Sequence, residues 1–205
     1  MKKIYSLFLV LFSLFVFVGK GYCRGEFLDD PDFSPRIDMS YSIVLSSAMQ
    51  SALNKYDKDF KVWDSYNFEP IIRRLFAGYE SHNDDYGLVM ESPSALFADF
   101  NCDNVMDAVL LGHNKNTEKL IALLSSGGSY RVVVIMDYHP GRDIKEDQQN
   151  TVFIGLTAPG KIPASERLDR PELNLKCYGF TYGGENATLL YVYKDGEFKE
   201  YAMSD

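Results

Sequence analysis

Nine residues, Asp99-Phe-Asn-Cys-Asp-Asn-Val-Met-Asp107, put oxygen-bearing side chains at positions 1, 3, 5 and 9 of a stretch flanked by apolar runs. Oxygens at that spacing can converge on one side of a tight turn. Asp99, Asn101 and Asp103 supply three, the backbone carbonyl of Val105 adds a fourth, and Asp107 closes the shell, an all-oxygen set suited to a hard cation, calcium (Ca2+) first. The competing reading is an Asx-rich turn without metal, because Asp and Asn bond their own backbone in turns. Three carboxylates in one short turn repel one another unless a cation or a spreading of the side chains relieves them. The metal-loop expectation is that these oxygens surround one point at about 2.3–2.6 Å with the ion present and point inward without it. Asp103 and Asp107 on opposite sides of the loop, more than about 8 Å apart, would rule out one shared ion.

Other candidate chemistry is thinner. Gly155 to Ile162 matches the first part of a phosphate loop, but Ile162 stands where Ser or Thr must ligate magnesium, and Pro163 opposes a following helix; an ordinary Pro-Gly loop is expected. His82, His113 and His139 are the only imidazoles. None belongs to a spaced catalytic or zinc pattern, so exposed loop histidines are expected, and no catalytic residue is assigned. Tyr178, Phe180 and Tyr182 alternate, as do Tyr191 and Tyr193, which places each set on one face of a strand as core or cross-strand ladder.

An EF-hand would need Gly and Glu where this chain has Asn104 and Leu110. The spacing Asp-x-Asn-x-Asp-x-x-x-Asp, with Phe100 second and a β-branched and aliphatic run after Asp107, resembles instead the calcium loop of FG-GAP and VCBS-type repeats, over Leu96 to about Leu111. Cys102 and Asn104 replace two glycines usual there. The replacements ask for residues that tolerate a left-handed backbone, which Asn does better than most. The resemblance raises the question of a β-propeller; the pattern occurs once and no internal repeat is visible, so one blade-like sheet is expected and not a closed propeller.

Residues 1–23 read as a secretory signal peptide: Lys2 and Lys3, then an apolar stretch from Leu7 to Val18 interrupted by Ser13, then Gly19-Lys-Gly21. A core of about 12 residues is short of the ~20 a spanning helix needs, so no membrane span is expected in the mature chain. Cys23 as a lipidated residue is disfavoured by Tyr22 and Lys20 before it. Removing Lys2, Lys3 and Lys20 takes the formal charge from −8 to −11. That acidity argues against nucleic acid and anionic lipid as partners and leaves a protein partner open. Cys102 and Cys177 then form a disulfide or remain two separate thiols, which sequence alone leaves undecided.

The elements that must position the loop are read from periodicity. Apolar residues at 41, 44, 45, 48, 49, 52, 53 and 56 predict a helix over Tyr41 to Tyr56, and Asn67 to Ala77 a second with Pro70 in its first turn. Asp59 to Trp63 reads as a short strand. Strands are predicted at Leu96–Phe100, Met106–Gly112, Lys119–Leu124, Tyr130–Met136, Thr151–Leu156, Leu173–Thr181, Thr188–Tyr193 and Phe198–Ala202, with Asp195-Gly196 as the clearest hairpin turn. The expected fold class is α+β: residues 24–205 as a single domain, two N-terminal helices on one mostly antiparallel sheet of about six to eight strands. The functional expectation is a periplasmic or secreted, non-enzymatic calcium-binding domain whose ion stabilises a strand connection near a partner-binding face. The alternatives are an inhibitor or immunity-type protein blocking a hydrolase, and a hydrolase using the loop carboxylates.

Overall fold

In the computed structural model, residues 43–76, 83–84, 87–88, 90–138, 144–145, 149–184 and 187–204 are described. The expected signal peptide, His82 and His139 lie outside them. The elements run in the order α1 (Ser47–Tyr56), β1 (Lys61–Val62), a 3-10 turn (Ser65–Asn67), α2 (Pro70–Phe76), β2 (Asn83–Asp84), β3 (Gly87–Leu88), β4 (Met90–Ser92), β5 (Ala95–Ala98), β6 (Asp107–His113), β7 (Glu118–Ser126), β8 (Ser129–Tyr138), β9 (Phe153–Thr157), β10 (Gly160–Ile162), β11 (Leu173–Leu175), β12 (Gly179–Gly183), β13 (Thr188–Lys194) and β14 (Glu197–Ser204).

All strand pairs are antiparallel, but they do not form one sheet. A six-stranded sheet has the order β4-β5-β6-β7-β8 with β1 added beside β6, and a four-stranded sheet has the order β14-β13-β12-β9; β10-β11 and β2-β3 are separate two-stranded ribbons. The single-sheet expectation is therefore corrected to two main sheets, with few helices: the fold is more β than α+β, and neither sheet closes into a barrel or propeller. The physical reason is visible in the six-stranded sheet. β6 and β7 carry unbroken apolar runs at their centres, residues 108–111 and 120–124, so both faces need covering. One face is covered by α1 and the other by the second sheet.

Between the sheets lie Leu96, Val109, Leu111, Leu120, Ala122 and Leu124 from one side and Ile154, Tyr178, Phe180 and Tyr191 from the other. On the opposite face Met49 and Leu53 of α1 pack with Phe60, Ala95, Ala108, Leu110, Ile121 and Leu123. Fully burying each such Leu, Ile or Phe contributes roughly 1.5–3 kcal/mol. The aromatic sets fall where alternation placed them: Phe180 stacks on Tyr191 with ring centroids 5.2 Å apart, and Tyr182 and Tyr193 pack half-buried beside them.

Local chemistry trims the predicted helices. Ser46 is extended and accepts from the Met49 amide, so α1 begins at Ser47 and not at Tyr41. Asn67 does not cap α2. It closes a capping box with Asp64 around the 3-10 turn, and α2 begins at Pro70. The long predicted strand Leu173–Thr181 breaks at Lys176–Tyr178 into β11 and β12, each with a different partner.

β5 and β1 share one side of β6 end to end, and Leu111 is the joint. Its N–H donates to the Ser94 carbonyl at 2.8 Å and its carbonyl accepts from Trp63 N–H at 3.1 Å. The Ser94 hydroxyl donates to the Trp63 carbonyl at 2.7 Å. Gly112, opposite Val62, permits this approach, because a Cβ there would sit 2.3 Å from the Lys61 carbonyl oxygen and 2.7 Å from the Phe60 ring. Between Trp63 and Ser94 the chain detours. Phe68, Ile72 and Phe76 of this detour belong to the inter-sheet core, and Asn150 holds it through backbone bonds with Asn67 (2.6 Å) and Glu69 (3.2 Å).

Candidate functional site

The connection from β5 to β6 carries all five sequence-selected residues, Asp99, Asn101, Asp103, Val105 and Asp107. Asp107 is the first residue of β6, opposite Ala98 of β5, and it is fully buried. Its Oδ2 accepts from the amides of Phe100 (2.9 Å) and Asn101 (3.2 Å), and its Oδ1 from the amide of Ser125 at the end of β7 (2.7 Å). One carboxylate thereby ties the start of the loop to two strands. Burial pushes the Asp107 pKa above the ordinary carboxylate value, opposed by the bonds from Ser125, Phe100 and Asn101.

The other three side chains wrap the exposed turn. Asp99 accepts from the Asp103 amide (3.1 Å) and from the Asn104 amide (2.8 Å) through its two oxygens. The Asn101 side-chain oxygen accepts from the Asp103 amide (3.0 Å), and Asp103 Oδ1 from the Val105 amide (2.8 Å). Asp103 Oδ2 accepts from the Ser125 hydroxyl. Desolvation acts most strongly on Asp103 and raises its pKa, but the bonds from Ser125, Val105 and Asn101 together outweigh it and hold the carboxyl below its ordinary value. Cys102 and Asn104 both have positive φ, 65° and 62°, the left-handed backbone expected of Asn104 and now seen at Cys102 also.

Ser125 is the residue that sequence reading missed. Its amide holds Asp107, its hydroxyl holds Asp103, and Asn101 Nδ2 donates to its carbonyl (3.2 Å) and hydroxyl (3.3 Å). Asp103 and Asp107 thus meet one residue, the first at its hydroxyl and the second at its amide. Among the described residues no group of three His, Cys, Asp or Glu side chains is arranged to hold a metal ion; here the side-chain oxygens are seated on backbone amides. Tyr130, opposite Ser125 across β7–β8, donates its hydroxyl to the Met106 carbonyl at 2.9 Å. Burial, and then the charges of Asp107 and Asp103, raise its pKa.

A disulfide joins Cys102 to Cys177, with Cα atoms 5.5 Å apart, which settles the cysteine alternatives. The next residue, Tyr178, donates its amide to the Asp99 carbonyl at 3.3 Å. The loop is therefore fastened to the segment leading into the second sheet as well as to β7.

The remaining candidates separate from this site. His113 is not an exposed loop histidine: it is half-buried, with its ring stacked on Trp63 at 3.9 Å between centroids. It lies at the far end of β6 from Asp107, about 20 Å away along the strand. Gly160-Lys161-Ile162 forms β10 against β11 and not a loop before a helix, so the partial phosphate-loop match has no phosphate cradle.

No family model, no curated protein and no solved structure matches this chain.

Proposed function

We propose that the chain is an exported, non-enzymatic calcium-binding domain in which the ion occupies the 99–107 loop and stabilises the β5–β6 connection beside a partner-binding face. The observation that carries this reading is the loop itself: Asp99, Asn101 and Asp103 bend toward its interior amides, two non-glycine residues adopt left-handed backbone, and Asp107 lies at its base. The donor set fits a hard cation through the oxygens that accept a single N–H, both of Asp99, Oδ1 of Asn101, Oδ1 of Asp103 and Oδ1 of Asp107, because each keeps a further lone pair, whereas Oδ2 of Asp103 and of Asp107 already accept two bonds. A nearby cation would also offset the cost of holding Asp107 charged in a buried position. Asp99, Asn101, Asp103, the Val105 carbonyl and Asp107 form the proposed ligand set, and calcium would supply no chemistry beyond positive charge and directional oxygen coordination. The disulfide supports export, since such bonds persist in oxidising compartments. Among the described residues no helix is long and apolar enough to cross a membrane. Exposed Val105, at the tip of the loop, marks the face on which a protein partner would sit.

The affinity expected of an extracellular module is roughly 10⁻⁴–10⁻³ M, so calcium at several millimolar should raise the melting temperature of the wild type and leave that of Asp103→Ala unchanged. Equal shifts in the two proteins would remove the loop as the binding site. Terbium offers a second readout, because excitation of Tyr130 beside the loop should sensitise its emission, and Tyr130→Phe should abolish the signal while calcium protection persists.

A further inference from the structure

We infer that the Cys102–Cys177 disulfide is a redox-addressable latch: its reduction by a dithiol releases the tip of the loop from the second sheet while both sheets stay folded, and thereby weakens cation binding. The inference rests on the calcium reading for its last step only. Three features carry the rest. Cys102 is exposed and Cys177 half-buried, and neither belongs to the buried clusters that hold the sheets together, so a reductant can reach the bond without opening the core. Exposed disulfides are the labile and regulatory class. Second, the other fastenings of the loop lie to either side of its tip. Asp107 holds Phe100 and Asn101, the Asp99 carbonyl holds Tyr178, and Ser125 holds Asp103, so breaking the disulfide releases Cys102 itself and leaves the turn around it to the bonds that Asp99, Asn101 and Asp103 accept from the amides of residues 103–105. Third, Cys102 sits at φ 65°, where an L-residue with a Cβ is disfavoured. Once unlinked it can leave that conformation, and the oxygens of Asn101 and Asp103 on either side lose their mutual placement.

The exchange balances as follows. A thiolate of the dithiol attacks the Sγ of Cys102, the Cys102–Cys177 bond breaks, and Cys177 departs as a thiolate that takes up a proton. Its Sγ lies 3.5 Å from the Phe100 carbonyl oxygen, so the new thiol has an acceptor in place. The second thiol of the reductant then displaces Cys102 from the mixed disulfide. Two electrons and two protons have passed to the protein, and the reductant is left as a disulfide.

The test uses the full chain with dithiothreitol as reductant, thiol alkylation and mass to count free cysteines, amide exchange to follow structure, and terbium as the cation probe. Reduction should proceed without denaturant, leave the amides of β6, β7, β12 and β13 protected, speed exchange at the Cys102 to Val105 amides, and weaken terbium binding about tenfold. The pair Cys102→Ser with Cys177→Ser should behave as the reduced protein. Cys102→Gly with Cys177→Ser should recover part of the affinity, because glycine takes the left-handed conformation freely. A bond that yields only at the unfolding midpoint, or loop amides whose exchange is unchanged on reduction, would overturn the latch. If the oxidised protein binds no terbium, the calcium reading fails by itself, and amide exchange still decides the latch.

Discussion

Two of the acid-bearing connections at which the chain reverses direction are built differently. Between β13 and β14 the turn is Asp195-Gly196, with φ of 54° and 90°, and Lys194 pairs directly with Glu197. Two residues whose backbone twist matches that of the strands suffice. Between β5 and β6 the chain uses residues 99–106, and side-chain bonds from Asp99, Asn101, Asp103 and Asp107 to backbone amides, the Ser125 contacts and a disulfide all contribute. Reversal alone does not need that apparatus. The comparison teaches that the longer connection is organised around its carboxylates, whereas the short one is organised by backbone conformation.

The comparison is most severely tested by Asp107→Ala. It leaves the amides of Phe100, Asn101 and Ser125 without their acceptor in a buried setting, and the cost should be roughly 3–5 kcal/mol, read from urea unfolding. A loss under about 1 kcal/mol, the scale of a single typical hydrogen bond, would mean that the loop depends on its side chains no more than the hairpin does. Next comes Gly196→Ala, which forces a Cβ into left-handed backbone and should cost about 1–2 kcal/mol. Its calcium-induced rise in melting temperature should match the wild type; a diminished rise would tie calcium to the hairpin as well.

The smallest effect belongs to Ser125→Ala, about 0.5–1.5 kcal/mol at neutral pH, and its pH dependence has a definite sign. Asp103 has a folded pKa below its unfolded value, so its contribution is present above the unfolded pKa and is lost as pH falls through the folded one. The Ser125 hydroxyl is the first of the bonds lowering that pKa. The difference between wild type and variant should therefore be full at neutral pH and shrink once Asp103 is protonated in both. Asp107, raised by burial, runs the other way in the wild type, losing stability as pH rises from the unfolded to the folded pKa. The variant also removes the Ser125 hydroxyl that holds Asp107 down, which acts in the same direction as the loss at Asp103. A difference that grows on acidification would contradict the assignment of Ser125.

What could be read in advance follows the range of the interactions. Alternation and turn residues located eight strands to within a few residues, and the ligand-spaced loop was visible because its chemistry is contiguous in sequence. The division into two sheets was not, because it depends on which strands pair across the stretch between β8 and β9, and that stretch, although Pro140-Gly141 marks a turn within it, is too long for its turn to fix the pairing of the strands on either side. Ser125 was accessible in principle. Antiparallel register counted outward from the Asn114–Thr117 turn pairs Ala108 with Leu123 and so brings Ser125 alongside the loop. The disulfide was legible only as an alternative, since spacing in sequence says nothing of distance. His113 was misplaced for a similar reason: Trp63 reaches it through β1, a strand of two residues whose docking depends on a single glycine.

The joint at Leu111 has a consequence for how the chain could be shortened. Trp63 and Ser94 occupy adjacent hydrogen-bonding places along one side of β6 and touch each other directly, so the residues between them begin and end at the same spot. In topological terms they are an insertion that carries its own edge strand: a link of a few residues from Trp63 to Ser94 would leave β1, β5, β6, β7 and β8 paired as they are and would remove β4 with its pairing to β5. It would also strip Phe68, Ile72 and Phe76 from above the inter-sheet core. The detour is thus dispensable to the join between β1 and β5 and necessary as the roof of the interior, and a miniaturised version of this protein would need to replace that apolar cover as well as the edge strand β4.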